Sequence, residues 1–377
     1  MWARFFYSSP VSRLPIVCGD TDAPLDLPDT LEDPIPLAAK GQAGYPGWLA
    51  DKDGRQLRYL RMSVTDRCDL RCQYCMPADG VPASEREDVL SFEEIVRVVR
   101  VFSRLGVQTV RLTGGEPLVR RNVADLVRRI RDEAGITDIA MTTNASALKV
   151  VAKTLVQAGL TRINVSLDSV DAETFRKMTR GGDLSRVIAG IEAIQDAGIT
   201  EVKTNSVVIR GHNDHQVGEV VDWAWAHDIT PRFIELMPLG EGAKMGRDAV
   251  VPVSEIRQNL ESRIVPEYDP AYRTDRGPAG YLEARDGSGK TVGLIGAVTD
   301  NFCHRCNRVR VTARGEIRAC LASPTGLSLR DLIRSGRDDD AITQAVRESL
   351  FGKGAGHEFY TPGVDRHHNV HMSRIGG

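Results

Sequence analysis

Six of the seven cysteines in this 377-residue chain fall in two groups of three: Cys68, Cys72 and Cys75 in the stretch CDLRCQYC, and Cys303, Cys306 and Cys320 far downstream. Thiolates are soft ligands that select zinc, Cu(I) or iron-sulfur clusters. A closed zinc site takes four ligands, commonly from two CxxC pairs. Three thiols on one short loop instead cover three corners of a four-iron cubane and leave one iron open to another ligand. Spacing alone leaves zinc and cluster both standing for the first group. In the second, His304 is available as a further zinc ligand. The seventh cysteine, Cys18, is read as a bystander.

The stretch TGGEP, residues 113–117, sharpens the choice. It follows the apolar-alternating run TVRLT, as the first cysteine loop follows LRMSV at 60–64. Both would then lie at the C-terminal edge of parallel strands, where barrel enzymes keep their chemistry. Glycines there let the backbone approach a ligand closely.

Further strand-like runs occupy 139–143, 163–167, 202–208 and 232–236, each with helical patterns between. Ser91 and Glu94 make a capping box ahead of Ile95, Val98, Val99 and Phe102 at helical spacing, with Gly106 as the stop. A helix from Asn122 buries Val123, Leu126, Val127 and Ile130, and another carries Val217, Val220, Val221 and Ala224. Six strand-then-helix units predict an α/β fold with a parallel sheet, open or curled into part of a barrel. The strands alternate apolar and polar residues, although sheets covered on both faces should be nearly all apolar. One solution is a barrel whose lumen is lined by Arg61, Arg111, Lys203 and Glu235. Several buried cations would cost several kcal/mol each unless an anion compensates them, and phosphate suits both Arg and Lys.

A net charge of −2 and a pI near 6.5 exclude a global basic field for nucleic acid. No apolar run is long enough to cross a membrane, and no secretory leader is evident. Clustered cysteines without a disulfide framework fit a reducing cytoplasm. Residues 1–50 mix acidic residues and prolines and are expected to form a poorly ordered extension, residues 51–240 the barrel, and residues 241–377 a glycine-richer region packed on its open part. His367, His368 and His371 read as a solvated loop rather than a metal site.

With TGGEP beside the cysteine loop, the chain resembles the radical S-adenosylmethionine (SAM) superfamily. That resemblance implies a partial (βα)6 TIM-like barrel and a [4Fe–4S] cluster on Cys68, Cys72 and Cys75. Its open iron is chelated by SAM, whose reductive cleavage yields a 5′-deoxyadenosyl radical. The motifs RMSVTDRCDLRCQYCMP, RLTGGEPL, MTTN, NVSLDS, FCHRCNRVRVT and the terminal Gly-Gly, running from about Leu57 to the end, further resemble the MoaA family, the GTP 3′,8-cyclases of molybdenum cofactor biosynthesis.

This closer resemblance implies a second [4Fe–4S] cluster on Cys303, Cys306 and Cys320 that binds the guanine of GTP. It implies SAM contacts at Tyr74, Gly115, Ser166 and Met237, and substrate contacts at Arg61, Arg111, Thr142, Lys203, Arg308, Val309 and Arg310. The catalytic residues by resemblance are Arg61 and the tail glycines Gly376 and Gly377. Further partners implied are a reductant of unknown identity and a downstream cyclic pyranopterin monophosphate synthase. The oligomeric state stays open, a homodimer included. Ala145 departs from the family, which often has Gly there. Two other readings make different demands: a peptide-modifying radical SAM enzyme would carry more C-terminal cysteines, and a non-catalytic zinc protein would hold zinc without iron.

Overall fold

Strands form where β-branched and apolar residues alternate with polar ones, and each is followed by a helix whose apolar stripe covers it. The computed structural model describes residues 48–265, 277–323, 326–357, 359 and 371–376. Six such units run through β1 (Tyr59–Ser63), α1 (Phe92–Arg104), β2 (Thr109–Thr113), α2 (Val123–Ala134), β3 (Asp138–Thr143) and α3 (Leu148–Ala158). They continue with β4 (Arg162–Ser166), α4 (Ala172–Thr179), α5 (Leu184–Asp196), β5 (Val202–Val208), α6 (Val217–Ala226) and β6 (Thr230–Glu235). The runs read from the sequence match these strands to within one or two residues at each end.

The outward faces of β1 to β4 and the inner stripes of α1, α2, α3 and α5 share one core, which includes Leu60, Met62, Phe102, Leu126 and Ile163. Helix α1 starts as expected: Ser91 Oγ accepts from the Glu94 amide at 3.2 Å, and the Ser91 amide donates in return to the Glu94 carboxylate at 2.7 Å. Replacing Ser91 with Ala removes that cap and should cost about 1 kcal/mol. Urea unfolding should show this as a lower midpoint at unchanged slope.

The last third of the chain does more than pack on an open side. After α7 (Glu241–Lys244) and α8 (Val253–Asn259) it supplies β7 (Gly280–Glu283), β8 (Thr291–Ile295), β9 (Arg308–Val311) and β10 (Ile317–Arg318). Then come α9 (Leu329–Arg334), α10 (Asp339–Phe351) and α11 (Met372–Ile375). The ten strands of the described residues form one sheet in the order β10-β9-β1-β2-β3-β4-β5-β6-β8-β7. Strand β9 adds in parallel to β1, and β8 adds in parallel to β6, so both edges of the six-strand barrel are extended.

Glu235 is not in the lumen. It shares the outer face of β6 with Phe233, because side chains alternate along a strand. Fully buried, its carboxylate accepts from the amides of Val253 at 2.8 Å, Val298 at 2.6 Å and Thr299 at 2.8 Å, tying the C-terminal segment to the barrel. Residues 1–47, with Cys18, lie outside the described residues, as do His367, His368 and Gly377. Residues 48–50 are structured, with Leu49 buried and Trp48 4.7 Å from the Arg58 guanidinium. His371 is half-buried at the start of α11. No helix among the described residues is long and apolar enough to cross a membrane.

Candidate active site

A cavity of about 300 Å³ occupies the lumen, and both cysteine triads border it. The sheet topology places them at opposite ends. Cys68, Cys72 and Cys75 follow the C-terminal end of β1, while Cys303 and Cys306 precede the N-terminal end of β9, which runs parallel to β1 with Tyr59 opposite Arg308. Antiparallel β10 returns the chain to that same lower edge just before Cys320. A five-residue strand separates the two edges by roughly 17 Å.

The upper loop is held in place by neighbours on three sides. The amides of Arg71 and Gln73 donate to Thr179 and Met178 at the end of α4, at 3.2 and 2.9 Å. Arg71 Nη1 closes the loop on the Cys68 carbonyl at 2.7 Å, and Tyr74 Oη donates to Asp168 Oδ2 at 2.9 Å. The two glycines of TGGEP serve this loop directly. A Cβ on Gly114 would lie 2.5 Å from the Thr65 carbonyl oxygen, and one on Gly115 2.3 Å from that of Arg67. Their absence lets the Gly115 and Glu116 amides donate to those same carbonyls, each at 2.8 Å. The close approach expected at a ligand is thus first an approach to the cysteine loop. Ala145, at φ 61, occupies the left-handed region where glycine is at ease, which accounts for the family's preference there.

Tyr74, Gly115, Ser166 and Met237 all border the upper cavity. Below them Arg61, Arg111, Arg308, Arg310 and Thr142 line it, and so does Arg232, which sequence reasoning passed over. Its alternation was available: Arg232 and Ile234 share the inward face that Glu235 does not. Arg232 is 6% exposed, and its Nε has no hydrogen-bond partner among the described residues. Burial and then neighbouring cations push the Arg61 guanidinium well below its ordinary range, and Arg310 to about 10. Burial alone would raise the Tyr59 phenol, yet Arg111 and Arg61 hold it below the ordinary value. Each shift reports the same field, a lumen crowded with positive charge.

Two of the named substrate residues are placed elsewhere. Lys203 Nζ pairs with Glu201 at 2.7 Å and lies 5.6 Å from the Tyr281 ring centre, away from the cavity lining. The Val309 side chain belongs to the core between sheet and helices, because its neighbours Arg308 and Arg310 take the inward positions. The tail does arrive. Arg310 Nη1 donates to the Gly376 carbonyl at 2.7 Å and Arg61 Nη2 to the same oxygen at 3.4 Å. Gly376 has φ +69, and a Cβ there would lie 2.8 Å from Thr113 Oγ1.

All six thiols are free of disulfides. Threes of soft donors around one cavity fit clusters with an open iron. Among the thiols one stands apart, since burial raises Cys303 as it does the upper three. Burial pushes Cys68 up to about 11 and Cys75 to about 12, and raises Cys72 well above the ordinary thiol, with Asp168 and Glu116 adding to the effect. Burial also opposes ionisation of Cys306, but Arg308 and Lys353 outweigh it and bring the thiol to about 6. In the cluster-free chain at pH 7, Cys306 is therefore mostly thiolate and the upper triad is not. Lower nucleophilicity of the more acidic thiol offsets part of that gap. Iodoacetamide should still alkylate Cys306 about 10²-fold faster than Cys68 or Cys75, and the advantage should fade below pH 6. Peptide mapping after a short pulse would read it.

Comparison with known proteins agrees with this geometry. Residues 62–224 match the radical SAM superfamily, and residues 229–359 match the Molybdenum Cofactor Synthesis C family. A GTP 3′,8-cyclase of Pelotomaculum thermopropionicum is 40% identical over 87% of this chain and 100% of its own length. Another from Rhizobium etli is 42% identical over 91% of this chain and 97% of its own. Among solved structures, anSMEcpe with bound AdoMet aligns at TM-score 0.53 and 17% identity over 80% of this chain and 82% of that one, a likeness of fold. Streptococcus suis SuiB bound to S-adenosylmethionine aligns at 0.52 and 18% over 78% and 68%. Two relatives matched along nearly their whole length, together with both halves of the domain pattern, place the chain in the radical SAM superfamily and, within it, in the family of GTP 3′,8-cyclases.

Proposed function

We propose that this chain converts GTP to (8S)-3′,8-cyclo-7,8-dihydroguanosine 5′-triphosphate, the first step of molybdenum cofactor biosynthesis. The observation that carries the proposal is the lumen, with a cysteine triad at each end and buried guanidiniums between them. Cys68, Cys72 and Cys75 would hold one [4Fe–4S] cluster, and Cys303, Cys306 and Cys320 the other. When bound, the first supplies the electron that splits SAM, and the second offers an open iron to the guanine.

The protein's own task is placement. Tyr74, Gly115, Ser166 and Met237 border the space for SAM. Arg111, Arg232, Arg308 and Arg310 present charge for the triphosphate, with Thr142 beside Arg111, where Nη1 reaches Oγ1 at 3.3 Å. Lys203 and Val309 would join through a changed rotamer and through backbone groups respectively. Arg61 and the Gly376 carbonyl, 3.4 Å apart, would form the wall beside the sugar, and Gly377 is the further catalytic glycine that the family resemblance implies. In the reaction, the 5′-deoxyadenosyl radical from SAM would take the hydrogen atom from C3′ of GTP and leave as 5′-deoxyadenosine, the carbon radical would add to C8, and one electron with a proton would complete the dihydroguanine. A tight, water-poor wall protects that radical from side reactions. The electron comes from a separate reductant, and the product passes to a cyclic pyranopterin monophosphate synthase. Oxygen-sensitive clusters of this kind suit a reducing cytoplasm.

The test is anaerobic. Reconstituted protein with SAM, dithionite and GTP should form 5′-deoxyadenosine in step with GTP loss. Deoxyadenosine formed at the same rate without GTP would remove the substrate assignment, and zinc in place of iron would remove the radical chemistry.

A further inference from the structure

Lys353 follows α10, far in sequence from either triad, and the reaction above gives it no part. Its residue is 2% exposed, and its Nζ donates to the carbonyls of Arg308 at 2.6 Å and Cys306 at 3.1 Å and stands 3.6 Å from Cys306 Sγ. An ammonium has three N–H donors, so this turn takes all of them. Arg55 grips the same turn: Nη1 donates to the Cys303 carbonyl at 2.7 Å, while Nη2 reaches the carbonyls of Gly354 at 2.7 Å and Lys353 at 3.3 Å. The two cations are not equivalent. Asp51 pairs with Arg55 Nε at 2.7 Å, whereas no carboxylate among the described residues pairs with Lys353. Burial disfavours the ammonium, and a negative charge nearby offsets that cost; Cys306 Sγ, 3.6 Å away, is a neighbouring group able to carry one.

We propose that Lys353 is a positioning residue for the second cluster, donating a hydrogen bond to the Cys306 sulfur and thereby raising that cluster's reduction potential. The inference rests on the reading that Cys303, Cys306 and Cys320 hold a cluster. Hydrogen bonds to ligand sulfur and nearby positive charge favour the reduced form, because reduction adds negative charge. The upper loop mixes both signs, with Asp69 Oδ1 4.0 Å from Cys68 Sγ and the Arg71 guanidinium 2.7 Å from the Cys68 carbonyl.

The test uses the full-length chain carrying Cys68→Ala, Cys72→Ala and Cys75→Ala, so that the second cluster is seen alone. Its midpoint is followed by electron paramagnetic resonance with Lys353, Lys353→Met and Lys353→Arg. The Met variant should lower the reduced-to-oxidised ratio at fixed potential about tenfold, about 59 mV for one electron, and the Arg variant should recover most of it. An unchanged midpoint in the Met variant with full iron overturns the proposal. If the Met variant loses its iron, the same pair is compared with the upper triad restored. Loss confined to the second cluster in Met but not Arg supports the role, and equal loss in both overturns it. A parent triple variant that takes up no iron-sulfur cluster refutes instead the underlying assignment of the second site.

Discussion

A Cys72→Ala chain, reconstituted without oxygen, will hold about four irons instead of about eight and will form no 5′-deoxyadenosine from SAM. The loss is expected to be complete because Cys72 is the middle cysteine of the upper loop. Its carbonyl also accepts from the Cys75 amide at 2.9 Å and the Met76 amide at 3.1 Å, so its position sets that of its neighbours. Alanine leaves this backbone turn intact, and the protein should fold with its second cluster in place. The companion change Cys306→Ala removes iron from the other end. It should leave SAM cleavage measurable while abolishing GTP consumption. Iron analysis and product quantification on the two variants read the result together. Deoxyadenosine made at a normal rate by Cys72→Ala would sink the assignment of the upper triad.

The second large effect is expected at Arg310. The residue is 9% exposed, and its guanidinium lies among other cations and clamps the Gly376 carbonyl at 2.7 Å. Removing one partner of a buried charged contact costs on the order of 3–5 kcal/mol. Arg310→Ala should therefore lower kcat/KM for GTP by about 10²–10⁴-fold. Lysine should not restore it, since a point charge cannot hold both the tail carbonyl and a phosphate oxygen in one plane. SAM cleavage, governed at the other end of the lumen, should continue and become uncoupled from cyclisation. Unchanged kcat/KM for GTP in Arg310→Ala would remove the guanidinium floor from the account of binding.

How much of this was legible in the sequence depended on how local the signal was. The capping box at Ser91 and Glu94 needed only three intervening bonds of chain, and it forms as read. Strand positions followed from alternation, which is a nearest-neighbour property. Inward direction followed too, where it was applied consistently: Arg61, Arg111, Arg308 and Arg310 face one cavity. It failed at β6, where Glu235 was chosen over Arg232 although alternation allows only one of them inside. Lys203 shows a different limit, since an inward-phase residue at a strand's lower end can turn to a nearby acid, here Glu201. Contacts that close over long sequence separations left no trace at all. Lys353 meets Cys306 across 47 residues and Arg55 meets Cys303 across 248. Nothing in either neighbourhood marks those cations as different from surface ones. The role of the C-terminal segment was likewise hidden, because short strands such as β9 and β10 carry too few residues to declare a period.

The order of strands also bears on how the chain is made. Strands β1 and β6 are complete once residue 235 has left the ribosome, but the strands that cover them, β9 and β8, lie at 308–311 and 291–295. For that interval the nascent barrel presents two bare edges, each a template for pairing with another chain. Closing the β1 edge joins residues some 250 positions apart, a contact that forms slowly because so long a loop must close first. The same closure brings Cys303 and Cys306 under the lumen. Assembly of the lower metal centre is thus timed to the end of synthesis, and a chain truncated before β9 should be both deficient in iron and prone to aggregate.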